Sequence, residues 1–280
     1  MRIVVLTNDY LPANIVTETL LREAGSRVVA LVSSTTSERG VRRSLARWRQ
    51  ARRWGPLWFA IIARHSIEVR ALWRLRRMRG DSSLPPKLRE LAARATIPLI
   101  PTQDVNSPET VAALQALTPD LLVSIYFNQR LKRDALAVSP RGAINLHPSL
   151  LPKHRGPFPH FWVVAAGEKH TGVTVHWIDE RIDNGDIVQQ RELPVPAGAS
   201  VSTLMGMVVR PGATSLVDAV RLIEAGQAPR HPQDPRVAVY EKWPTQRDLI
   251  RMWRQGGSYG YGSELIAACE KKYSTTATDD

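Results

Sequence analysis

Asn145 and His147 stand two residues apart at the end of the apolar run Ala143 to His147, and a turn carrying Asp179, Asp183 and Gly185 follows a second apolar run, Val173 to Ile178. Side chains alternate along an extended chain, so positions two apart project to the same side. An amide and an imidazole therefore leave the first strand together. With a carboxylate from the later turn they suit acyl transfer to an amine. The acyl carbon becomes tetrahedral, its oxygen gains charge, and fixed donors such as Asn145 and His147 stabilise that charge. The attacking ammonium must lose a proton, which Asp183 can accept directly or through water. A carboxylate beside His147 is also expected to keep the imidazole protonated and donating. Taken singly, each residue has a plainer reading. Asn before His-Pro can cap a turn, Asp179 and Asp183 can shape one, and His176 suits a core position. His154, His160 and His170 are expected at the surface or in loops.

The elements that must position these groups follow from apolar periodicity. Arg2 to Thr7, Val28 to Val32, Ile97 to Ile100, Asp120 to Tyr126, Ala143 to His147, Val173 to Ile178 and Ile187 to Val195 read as strands. Helices are expected over Leu11 to Ala24, closed by Gly25, over Pro86 to Ala95, and after Ser107, which caps a helix with Pro108 in its first position. Ser200 caps a further helix that Pro211 and Gly212 should break before it resumes to Leu222. Strands alternating with helices predict a Rossmann-like, doubly wound, mostly parallel α/β sheet, in which ligands bind beyond the carboxyl ends of the strands. Residues 1–228 are expected to form this catalytic domain. From Pro229 to Asp280 the pattern weakens into a short C-terminal extension, with helical character around Arg247 to Trp253 and a flexible GGSYGYGS.

At 280 residues and 43% hydrophobic content, the chain can bury one large core or two modest ones. The single cysteine, Cys269, excludes an internal disulfide, and MRIVVLTNDYL holds too short an apolar run for a signal peptide. No apolar run approaches the ~18 residues needed to cross a bilayer. The cytoplasm is the expected compartment. The formal charge of +12 is concentrated, because Arg39 to Gly80 holds 13 arginines against one acid, Glu68. The rest of the chain is neutral in sum, which argues against a general nucleic-acid surface. Within that segment Trp54, Leu57, Trp58, Ile61, Ile62, Val69, Leu72 and Trp73 recur at helical spacing, predicting one or two amphipathic helices broken at Gly55 and Pro56. Such a basic helical insertion over residues 39–80 suits packing on the domain, a homodimer contact, or peripheral attachment to the inner face of an anionic membrane, with nucleic-acid contact a weaker alternative.

INLHPSLLPKHRG, followed by TGVTVHWIDERIDNGDIVQQ, resembles the signature of the folate-dependent formyltransferases. The likeness runs in order from about Thr118 to Val195, with weaker agreement back to Met1. It implies 10-formyltetrahydrofolate as co-substrate, no metal, and Asn145, His147 and Asp183 as the catalytic triad. It puts Phe127, Asn128, Gln129, Arg130 and Leu131 on the loop that holds the folate pteridine, and Ile178, Asp179 and Ile182 on the opposite wall. Asn8, Tyr10, Arg155, Gly156, Pro157, Phe161 and Trp162 are assigned to the acceptor side.

The acceptor is expected to be small. Members that formylate glycinamide ribonucleotide carry a glycine-rich phosphate loop after the first strand, whereas this chain has TNDYLPANIV there. Members that formylate tRNA carry a C-terminal barrel domain, and no alternating strand pattern follows Pro229. RGPFPHFWVV looks more like the sugar and small-amine branch, because an aromatic face can pack against a sugar ring. The resemblance thus implies formyl transfer to a primary amine of an amino sugar nucleotide or a related glycan precursor. Hydrolysis of the formyl donor and methionyl-tRNA formyltransferase-like activity are the alternatives.

Overall fold

A computed structural model describes residues 1–35, 55–81 and 85–271, and the first part of the arginine-rich segment, residues 39–54, lies outside them. Seven strands form one sheet: β1 (Ile3–Thr7), β2 (Val28–Ser34), β3 (Leu99–Thr102), β4 (Leu121–Ile125), β5 (Ala143–His147), β6 (His170–Trp177) and β7 (Ile187–Pro194). Their order is β3-β2-β1-β4-β5-β6-β7. The strands from β3 to β5 in that order pair in parallel, and β6 and β7 close the sheet antiparallel. The chain reverses direction across the sheet between β1 and β4, so the ends of β1, β4 and β5 open together on one edge.

Burial explains the apolar strands. In β1, Ile3 and Val5 join one core while Val4 and Leu6 join a second on the other face. Helices α1 (Leu11–Ala24) and α8 (Val209–Glu224) cover the first face. Between them in sequence lie α2 (Pro56–Met78), α3 (Leu88–Arg94), α4 (Pro108–Ala116), α5 (Arg133–Leu136), α6 (Pro159–Ala166) and α7 (Val201–Met207). Two helices follow, α9 (Gln246–Arg254) and α10 (Gly262–Glu270). Ser107 caps α4 as its sequence predicts, its side chain accepting from the Thr110 amide at 3.2 Å.

Two expectations are corrected. The break after α7 falls at Val208, and Pro211 sits in the first turn of α8, where its missing N–H costs nothing. The segment GGSYGYGS is packed rather than flexible. Its Tyr259 is 4% exposed, and the Ser258 and Tyr259 carbonyls accept from the Val201 and Ser202 amides at 3.0 and 2.9 Å. Leu249, Met252, Leu265 and Cys269 join the same core as the sheet, so the C-terminal extension shares that core.

In the described part of the insertion α2 starts at Pro56 with Gly55 as its N-cap, the place where the sequence expects a break. Trp58, 1% exposed, packs on Phe158, Phe161 and Tyr259, and its Nε1 donates to the Pro244 carbonyl at 2.8 Å. Ile61, Ile62, Val69, Leu72 and Trp73 face the same way. No helix of the described residues is long and apolar enough to cross a membrane.

Candidate active site

β5 delivers two of the polar groups. Asn145 lies directly opposite His176 across the antiparallel β5/β6 pair. Its Nδ2 is 3.1 Å from His176 Nε2, while His176 Nδ1 donates to the Trp177 carbonyl at 2.8 Å. With Nδ1 carrying the proton, Nε2 is left as the acceptor for Asn145. His176 is therefore a satisfied, buried histidine that orients the amide.

His147, 4% exposed, donates from Nε2 to the His154 carbonyl at 3.0 Å and presents Nδ1 to Asp183 Oδ2 at 3.6 Å. Asp183 Oδ2 accepts the Gly156 amide at 2.8 Å, and Oδ1 lies 3.6 Å from His176 Nε2. Asn145, His147 and Asp183 thus converge through His176 and the turn after β6. Four non-glycine residues around them hold left-handed backbone: Tyr126 (φ 51°), His154 (φ 52°), Phe158 (φ 63°) and Asp183 (φ 49°). Such conformations persist only where surrounding contacts over-determine them.

Electrostatics separates the partners. Burial would raise the Asp183 carboxyl, but the adjacent His147 and His176 imidazoles and the Gly156 amide hold it well below the usual carboxylate range. Burial lowers the His147 imidazole, and the neighbouring carboxylate only partly offsets this. The expectation that Asp183 keeps His147 protonated is therefore corrected, because desolvation outweighs attraction. His154 and His160 are buried, not at the surface, while His170 is exposed. Burial and the nearby His147 push His160 down to about 3.

The two walls assigned to the folate are tied to each other. The Arg130 guanidinium donates to the Glu180 carbonyl. Gln129 accepts the Val105 amide at 2.7 Å and donates to Ser34 Oγ at 2.8 Å, so its side chain holds the loop in place. Leu131 is buried, Phe127 is half-buried in the second core, and Asn128 lies between them. Opposite, the Ile178 amide donates to the Ala143 carbonyl at 2.8 Å, Asp179 accepts from the Arg181 amide and Asn184 Nδ2, and Ile182 is 43% exposed.

The acceptor-side residues divide. Asn8 donates to the Tyr126 carbonyl at 2.7 Å, leaving its buried Oδ1 unpartnered, and Tyr10 meets Tyr126 edge to face. Arg155 and Gly156 adjoin Asp183, followed by half-buried Pro157. Gly156 has φ 94°, and a Cβ there would stand 2.4 Å from the Glu241 carbonyl, so only glycine fits. Phe161 is placed elsewhere, fully buried against Trp58, and Trp162 donates to the Lys242 carbonyl at 3.0 Å as part of the helix packing.

The C-terminal extension supplies neighbours that sequence reading missed. Gln233 bonds both Arg155 and the Asp183 backbone, and the Tyr240 ring, 51% exposed, lies against Gly156. Both fall in an irregular segment without periodicity, so no local pattern marked them.

An amide, an imidazole and a carboxylate thus meet at adjoining strand ends of a doubly wound α/β sheet. The family description "Formyl transferase" matches residues 83–220, and that stretch of the chain is assigned to this family. Methionyl-tRNA formyltransferases of Syntrophus aciditrophicus and Moorella thermoacetica are each 37% identical, over 177 and 179 residues. These matches cover 63% and 64% of this chain and 57% and 58% of the relatives, so the chain spans less than two thirds of their length. Among solved structures, glycinamide ribonucleotide transformylase 1 from Symbiobacterium toebii aligns with TM-score 0.57 at 19% identity, covering 83% of this chain and 93% of that one. The N-formyltransferase from Helicobacter canadensis, in complex with folinic acid and dTDP-3-aminofucose, aligns with TM-score 0.57 at 18% identity, covering 89% and 72%. These two likenesses concern the fold.

Proposed function

We propose that the chain transfers a formyl group from 10-formyltetrahydrofolate to a primary amine, and that Asn145, His147 and Asp183 carry the reaction. The observation behind this reading is the Asn145–His176–Asp183–His147 constellation at the ends of β5 and β6. The folate fits between the tied walls at 126–131 and 178–183, where partly exposed Phe127 and Ile182 offer apolar contact and the unpartnered Asn8 Oδ1 is an acceptor nearby. When bound, the co-substrate supplies an activated formyl carbon. One N–H of Asn145 is spent on His176, and the other is the donor for the formyl oxygen. Neutral His147, with Nδ1 turned to the Asp183 carboxylate, takes up the ammonium proton, and the ionised carboxylate stabilises the imidazolium that results. Burial of both side chains strengthens that attraction.

For the acceptor, the relatives favour the α-amino group of methionyl-tRNA over the amino sugar that the RGPFPHFWVV stretch suggested. The amino sugar nucleotide is the second reading, supported by the half-exposed Tyr240 ring against Gly156, a surface suited to a sugar or nucleoside. Incubation of the full chain with 10-formyltetrahydrofolate and methionyl-tRNA, or with amino sugar nucleotides, should release tetrahydrofolate in step with one formylated product. Release without any acceptor would instead identify a hydrolase, and no release would remove the reading.

We further infer that the outer face of α2 contacts an anionic surface. Arg64, Arg76 and Arg77 pair with Glu68, Glu270 and Glu90, whereas Arg70, Arg74 and Arg79 stand exposed on the helix that also exposes Phe59, Ile67 and Met78. Arginines interleaved with apolar side chains suit a bilayer interface.

A further inference from the structure

We propose that Gln233, in the C-terminal extension, is a positioning residue that sets the Asp183 carboxylate against the His147 imidazolium. This rests on the reading of Asp183 given above. The Gln233 amide donates to the Asp183 and Gly185 carbonyls at 3.1 and 2.8 Å. Its oxygen accepts from Arg155 Nε and Nη2 at 3.0 and 2.7 Å. The hydrogen-bonding capacity of the side chain is thus fully used, and only one orientation of the amide serves. Guanidinium offers only donors and backbone carbonyls only acceptors, so a flipped amide would lose every bond.

From Arg155 the network continues. Nη1 donates to Asn184 Oδ1 at 2.9 Å, and Asn184 Nδ2 donates to Asp179 Oδ2 at 2.9 Å. Gln233 therefore grips the Asp179 to Gly185 turn at its backbone and, through Arg155, at its side chains. Asp183 lies inside that grip with φ 49°, a conformation a non-glycine residue keeps only when held. The same grip lines up Arg155 and Gly156, whose amide meets Asp183 Oδ2 at 2.8 Å. Gln233 lies outside residues 83–220, the part that matches the family description, so this support comes from the extension.

The test compares Gln233→Ala and Gln233→Glu in the full chain. Gln233→Glu can still accept from Arg155 but offers the two carbonyls no donor. Both variants should lower kcat roughly 10- to 100-fold, since a misplacement of about 1 Å can cost that much. The KM for the formyl donor should stay unchanged, and the acid limb of kcat/KM should move to lower pH, because a displaced Asp183 carboxylate stabilises the His147 imidazolium less. Exchange of the Gly156 amide hydrogen should quicken in both variants, a readout that needs no turnover. Wild-type chain without turnover would count against the reaction reading, while faster Gly156 exchange would still uphold the positioning role. Near-wild-type kcat and unchanged exchange in Gln233→Ala would overturn the proposal. So would wild-type behaviour of Gln233→Glu, which would mean that Gln233 only anchors Arg155.

Discussion

His147 and Asp183 illustrate how burial decides a side chain's state. Replacing either, as His147→Ala or Asp183→Asn, should cut formyl transfer by two orders of magnitude or more, since a positioned general base contributes about 100- to 10,000-fold. Steady-state rates with circular dichroism as a folding control check this, and rates near wild type in both would refute the roles. His160 carries a separate expectation. Its folded pKa of about 3 lies below the unfolded value, so the unfolded chain binds the extra proton between those limits. Stability should therefore fall as pH drops below about 6.5, by roughly 1.4 kcal/mol per pH unit for this group alone. The lowered His147 and His154 act in the same direction. The Tm of His160→Gln should fall less between pH 7 and pH 5 than that of the wild type. Asn145, His147 and Asp183 were legible in sequence because strand alternation and the turn residues place them. The depressed states of His147 and His160 were not, because desolvation depends on atoms brought from distant elements.

α2 shows the same division at the level of an element. Its start at Gly55 and Pro56 and its apolar spacing can be read locally. That Trp58 would enter the main core against Phe158, Phe161 and Tyr259 cannot, since those partners lie about a hundred or more residues away. Trp58→Ala should cost about 3 to 5 kcal/mol, read as a lower urea midpoint at unchanged m-value. A loss below about 1 kcal/mol would mean that the insertion is peripheral to the fold. The break between α7 and α8 was misplaced for a related reason. Proline is disruptive within a helix but tolerated in its first turn, and tertiary packing decided which turn Pro211 occupies.

Along the whole chain, the charge of +12 is concentrated in the arginine-rich segment, residues 39–80. Binding to vesicles of phosphatidylcholine mixed with phosphatidylglycerol should exceed binding to phosphatidylcholine alone and weaken with salt, as screened attraction does. Arg70→Gln, Arg74→Gln and Arg79→Gln together should abolish it in co-sedimentation, whereas equal binding to both vesicle types, or none, would remove the bilayer reading. The sequence by itself determined the parallel sheet, the strand ends, the pairing of Asn145 with His147, and the basic insertion. Those features depend on periodicity and local turn chemistry, which act over a few residues. Only the tertiary structure decided that residues after Pro229 wrap the Asp183 turn, with Gln233 holding its backbone and Tyr240 exposed beside Gly156. It also moved Phe161 from the acceptor side into the core. Contacts between residues fifty or more positions apart arise from which surfaces the closed fold leaves facing one another, and no local pattern encodes that.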